Sequence, residues 1–187
     1  RYPAIESLTL LICLLVYAAY GWSVATGLLL LAAPFLVAML VIDLEHMILP
    51  DQLQIILYAL GLVFIGVGGG IEAIPPALGA SFLYGALAFI LARGGAWLFK
   101  RDALGMGDVK FFAVAGLWLG SLLLPAFLML AGVAGVLLGL AWRVIVKSPR
   151  FPFGPALILS LLLLLLLRAP VVAAWLNPFL GAVPGLS

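Results

Sequence analysis

Asp43 closes a long apolar run, within Val41-Ile-Asp43-Leu-Glu45-His46-Met-Ile-Leu-Pro50-Asp51. Asp108 opens another, within Ala103-Leu-Gly105-Met-Gly107-Asp108-Val-Lys110. A carboxylate set against hydrocarbon costs at least about 2.5–3.5 kcal/mol, so an acid in such a place reads first as functional. Two carboxyls brought close together cannot both ionise; they hold one proton between them and titrate as a pair. Such a pair is equipped to split an amide. The ionised partner takes a proton from water while the protonated one polarises the carbonyl. Gly105 and Gly107 open backbone conformations closed to other residues and clear bulk from beside Asp108, so that an extended peptide can approach it. Asp43 and Asp108 are therefore expected to be a catalytic pair.

Plainer roles compete for the same residues. Asp108 suits the N-cap of the apolar helix it opens, and Asp51, after Pro50, suits the N-cap of the next one; for Asp51 capping is the preferred reading. Asp43 lies at the far end of its run, where an anion opposes the helix dipole, so capping does not account for it. Lys110 either anchors at an interface or tunes Asp108. His46 shares the face of Asp43 if that helix continues. Glu45 and Asp102 are interface residues on the simplest view. Together with the other acids they also form a local negative field suited to a basic segment of substrate. A different class of function, ion or proton transport through the same two carboxylates, is the main rival, and a non-catalytic scaffold is a second.

The elements that must position these residues follow from composition. Of 187 residues, 67% are hydrophobic and 9% charged, against about 45–50% and about 25% in soluble domains. Only a polytopic membrane protein fits, all-α, as one domain over residues 1–187. Seven spans are expected: 6–22, 27–42, 51–67, 75–99, 108–124, 125–146 and 151–168. Pro50, Pro75-Pro76 and Pro125 mark helix starts. The path after Arg168 is left open. Small residues at Gly116-x-x-x-Gly120, Gly135-x-x-x-Gly139, Gly79, Ala80, Gly85 and Ala86 have the spacing of close helix packing in lipid. A single cysteine, Cys13, permits no internal disulfide and no Cys-x-x-Cys metal site, so no metal is expected. Arg1 opens the numbered sequence without a Met, as in a fragment or a processed form.

With seven spans, Arg1, Arg93, Lys100, Arg101, Lys110, Arg143, Lys147 and Arg150 fall on one side, which is eight of the nine basic residues. By the positive-inside rule that side is cytoplasmic. The chain crosses twice between Asp43 and Asp108, so both acids are expected at this same face.

The Asp43 segment with Leu-Pro-Asp51, joined to Gly105-Met-Gly107-Asp108-Val-Lys110, resembles the type IV prepilin peptidases, a family of Gly-x-Gly-Asp intramembrane aspartic proteases. The opening Arg1-Tyr-Pro-Ala-Ile-Glu6 and the late Pro152-Phe-Gly-Pro155 resemble it too. The resemblance implies that Asp43 and Asp108 are catalytic, with Gly105, Gly107, Asp51 and Lys110 in the supporting motif. It implies a prepilin or pseudopilin substrate, cut after a short basic leader at the cytoplasmic face of the bacterial inner membrane, for a type IV pilus, type II secretion or competence system. Glu45 and Asp102 would then attract the leader. The partners implied are that substrate and the lipid bilayer, without nucleic acid. Proteolysis needs no cofactor on this reading. S-adenosylmethionine enters only if N-methylation is retained, and the Cys-x-x-Cys domain found in many members is missing from these residues.

Overall fold

The computed structural model of the chain describes residues 2–99, 104–147 and 151–167. Their architecture is all-helical, with seven α-helices: α1 (Tyr2–Tyr20), α2 (Val24–His46), α3 (Asp51–Gly69), α4 (Ile74–Phe99), α5 (Met106–Leu119), α6 (Leu124–Ile145) and α7 (Gly154–Leu167). Short 3-10 turns, Ile71–Ala73 and Ser121–Leu123, lead into α4 and α6. By length and composition, four stretches can cross a membrane: Val24–His46, Asp51–Gly69, Ile71–Trp97 and Ser121–Ile145. The apolar stretches of α1 and α7 are shorter.

The helix ends have local causes. Ser23 caps α2, its side chain accepting from the Thr26 N–H. Proline stands in the first turns of α4 and α6, where its missing N–H costs nothing. The expected fifth span, 108–124, is corrected at both ends. The helix starts at Met106 and stops at Leu119, because Gly120 turns to φ 76°, a conformation that L side chains rarely adopt. At 14 residues, α5 is about 21 Å long, short of the roughly 30 Å hydrocarbon core.

The seven helices differ in what surrounds them. α5 is enclosed almost all round: Val109, Phe111, Phe112 and every residue from Val114 to Leu119 are buried. α4 and α3 flank it, and α7 packs on it as well as on α2. Lipid offers no hydrophobic drive between helices, so close backbone approach must hold them. Gly116 supplies it on one side, where an added Cβ would stand 2.7 Å from the Ala80 carbonyl and from Tyr84. Gly61 supplies it on the other, against Trp118, whose indole N–H donates to the Leu57 carbonyl at 3.0 Å. Gly85 meets Ala113, while Gly135 and Gly139 take the rings of Phe153 and Phe151. Two of the expected packing positions are corrected. Among the described residues nothing lies within 4 Å of where a Cβ on Gly79 would stand, and Gly120 ends α5, where its carbonyl accepts from the Tyr84 hydroxyl at 3.0 Å.

Candidate active site

The C-terminus of α2 and the N-termini of α3, α5 and α7 lie at one end of the bundle, as their mutual packing and the bonds between them require. α2 continues past Asp43 to His46, and Met47 (φ 56°) closes it by donating its N–H to the Asp43 carbonyl. Asp43 is turned inward and is only 4% exposed, whereas His46 is exposed. The two therefore do not share surroundings, although the helix does continue between them.

A buried carboxyl at the end of its own helix needs a donor from elsewhere. It finds one at α7: the Gly154 N–H donates to Asp43 Oδ2 at 2.9 Å. First-turn N–H groups have no partner within their helix and carry the positive end of its dipole. Asp43, set against the dipole of α2, thus faces the favourable end of α7. Glycine is required there for space. A Cβ at position 154 would lie 2.5 Å from Asp43 Oδ2 and 3.0 Å from Leu49 Cδ2.

Asp108 is reached differently. Gly105, not Asp108, is the N-cap of α5, and Asp108 stands three residues on. Its Oδ2 accepts from the Gly105 N–H at 3.2 Å, the carboxylate's half of the reciprocal arrangement found at many helix starts. The capping role expected for Asp108 is thus corrected to a bond back to the cap. Asp108 is partly buried. The two acids that the sequence singles out lie at one end of the fold, on segments that both border Leu49: Gly107, just before Asp108, and Gly154, the donor to Asp43.

Gly105 and Gly107 clear bulk but do not adopt unusual backbone. Gly105 is ordinary extended chain (φ −68°), and neither is among the described glycines of positive φ. Space is the constraint at Gly107, where a Cβ would come 3.3 Å from Leu49 Cβ. The expectation for Asp51 is also corrected. Pro50 is the N-cap of α3 without a side-chain cap bond, and Asp51 is its first residue. Its carboxylate pairs instead with Lys110 at 2.7 Å. Lys110 is thereby placed too: it is directed to Asp51, which is a different role from tuning Asp108. Both side chains are about half exposed, 52% and 56%. Glu45 is exposed, two residues after Asp43. Asp102 lies outside the described residues, as do Lys100, Arg101 and Arg150.

Sequence reasoning missed two participants. Gly154 stood in the proline-flanked segment before α7 but carried no sign of contact with Asp43. Gln54 is the other: a buried amide in an apolar helix, whose Nε2 donates to the carbonyls of Leu49 (3.3 Å) and Gly107 (3.2 Å). A polar residue in a run of Leu and Ile was the available signal. Among the described residues, no group of three or more His, Cys, Asp or Glu side chains is placed to hold a metal ion.

Comparison with known proteins identifies a family for the chain. Residues 29–140 match the model of the type IV leader peptidase family. A prepilin leader peptidase/N-methyltransferase of Neisseria gonorrhoeae is 37% identical over 161 residues, covering 86% of this chain and 55% of that protein. Its namesake in Legionella pneumophila is 33% identical, over 86% of this chain and 56% of its own length. That of Aeromonas hydrophila is 33% identical, over 96% and 63%. The chain thus spans little more than half the length of the curated relatives it matches. No solved structure matches it at a significant level.

Proposed function

We propose, from the premise that this chain belongs to the type IV leader peptidase family, that it is the peptidase domain of a prepilin leader peptidase. It removes the short basic leader of a type IV prepilin or pseudopilin, at the cytoplasmic face of the bacterial inner membrane, with Asp43 and Asp108 as its catalytic pair. The observation that carries this reading is that the segments bearing the two carboxyls converge at one end of the helical bundle, where Gly154, the donor to Asp43, and Gly107, just before Asp108, both pack against Leu49. The same end holds Arg93, Lys110, Arg143 and Lys147, which supports a cytoplasmic orientation.

In the reaction the ionised carboxyl takes a proton from water, and the resulting hydroxide attacks the scissile carbonyl carbon. The protonated carboxyl gives its proton to the carbonyl oxygen, leaving a tetrahedral diol. Collapse of the diol breaks the C–N bond, and the proton first taken from water passes to the departing amine. Gly154 holds one Asp43 oxygen and Gly105 one Asp108 oxygen, so each carboxyl keeps its other oxygen for water or peptide. Glu45 adds negative field on the side where a basic leader would lie.

The relatives' names also include N-methyltransferase, an activity that uses S-adenosylmethionine. The groove between α3 and α5 has a volume of about 290 Å³ and is walled by Asp51, Gln54, Ile55, Tyr58, Lys110 and Val114. Its one acid is already paired with Lys110. These residues do not fit that cofactor, and no step is derived through it.

The test is cleavage of a purified prepilin in detergent by Asp43→Asn and Asp108→Asn. Each variant is expected to fold and to lose activity by about a thousandfold or more, within the range set by deleting an acid–base group. Substantial cleavage by either variant would falsify the pair.

A further inference from the structure

We propose that Gln54 is a positioning residue that sets the separation of the two carboxyls, an inference that rests on their acting as a pair. Gln54 is in the first turn of α3 and is 4% exposed. Its Nε2 donates to two backbone carbonyls at once, Leu49 at 3.3 Å and Gly107 at 3.2 Å. Leu49 belongs to the turn that leads out of the Asp43 helix, and Gly107 immediately precedes Asp108. One side chain therefore ties together the two backbone segments that bear the acids.

The orientation of the amide follows from chemistry. Both neighbours are carbonyl oxygens, so only the NH₂ end can face them; the flipped amide would set acceptor against acceptor. The other end, Oε1, is buried and has no hydrogen-bond partner among the described residues. A buried acceptor without a partner costs stability that an apolar side chain of the same shape does not. Stability alone thus favours something other than glutamine at this position. Two donors aimed at two carbonyls are what glutamine adds.

The same segments meet at Leu49. Its Cβ would lie 3.3 Å from a Cβ on Gly107, and its Cδ2 would lie 3.0 Å from one on Gly154. Leu49 is thus wedged between the glycine that precedes Asp108 and the glycine that bonds Asp43, and Gln54 fixes the backbone of that wedge. Catalytic groups tolerate little error, since a displacement of about 1 Å costs about a hundredfold.

The experiment uses the full chain in detergent and compares Gln54→Met, similar in length and without donors, with Gln54→Leu. For both, kcat per folded molecule is expected to fall about tenfold or more while KM stays within about twofold, the pattern of lost transition-state geometry rather than lost substrate binding. The melting temperature of Gln54→Met is expected to stay near that of the wild type. An unchanged kcat, or a change confined to KM, overturns the proposal. So does the failure of both variants to fold, which would make Gln54 a structural strut. Asp43→Asn is assayed alongside. If it cleaves, the pair itself fails whatever Gln54 does. If it is inert while Gln54→Met turns over at the wild-type rate, only the positioning role fails.

Discussion

Asp43 and Asp108 accept the same kind of bond, from a glycine N–H at the start of a 14-residue helix. They receive it over very different lengths of chain. The donor to Asp108 is three residues away, within the turn that begins its own helix. The donor to Asp43 is 111 residues away, at the head of α7. Asp108 is therefore held by local geometry that forms as soon as α5 forms. Asp43 is held only when α2 and α7 are packed, and in return it is almost completely enclosed. The partly buried acid is the self-sufficient one, and the buried acid depends on the whole bundle.

Alanine at each glycine should separate the two cases. Gly154→Ala puts a methyl 2.5 Å from the Asp43 oxygen and 2.8 Å from its carboxyl carbon, so the carboxyl or the head of α7 must move. Activity against a prepilin is expected to fall about a hundredfold, as for a displacement of about 1 Å, with helical content by circular dichroism unchanged. Gly105→Ala brings a methyl only to 3.2 Å from the Asp108 oxygen, at an ordinary φ of −68°. Alanine is merely a poorer N-cap, so the expected loss is about 1 kcal/mol of local stability, or at most about fivefold in rate. Equal losses in the two variants would break the contrast.

The smallest effect belongs to the pair that borders the site without entering it. Lys110→Met removes an ion pair whose members are both about half exposed. Such pairs contribute about 0–1 kcal/mol, so cleavage is expected to stay within about twofold and thermal stability within that range. A large loss would bring Lys110 back to Asp108, the role the structure does not support.

How much of this was legible in the sequence follows the same division. Asp43 and Asp108 stood out because charge against an apolar run is costly, and the prolines marked helix starts to within a few residues. Two crossings between the acids were enough to return them to one end. Contacts of long sequence separation were not legible. Nothing local to Asp43 announces Gly154, and nothing local to Lys110 announces Asp51, 59 residues away. Asp108 and Asp51 therefore looked like caps for their own helices, the nearest use available. The short α5 was hidden for a related reason. Its apolar run continues through Leu124, and only the backbone turn at Gly120 shows that the helix has ended.

The central claim is that the two acidic side chains meet. The direct measurement replaces Cys13 with Ala, introduces Asp43→Cys and Asp108→Cys together, and treats membranes with a short thiol-to-thiol reagent. The account predicts an internal cross-link in the double variant, read by mass spectrometry. If each thiol reacts singly with the reagent and no cross-link joins them, the two positions do not share a site and the account is contradicted.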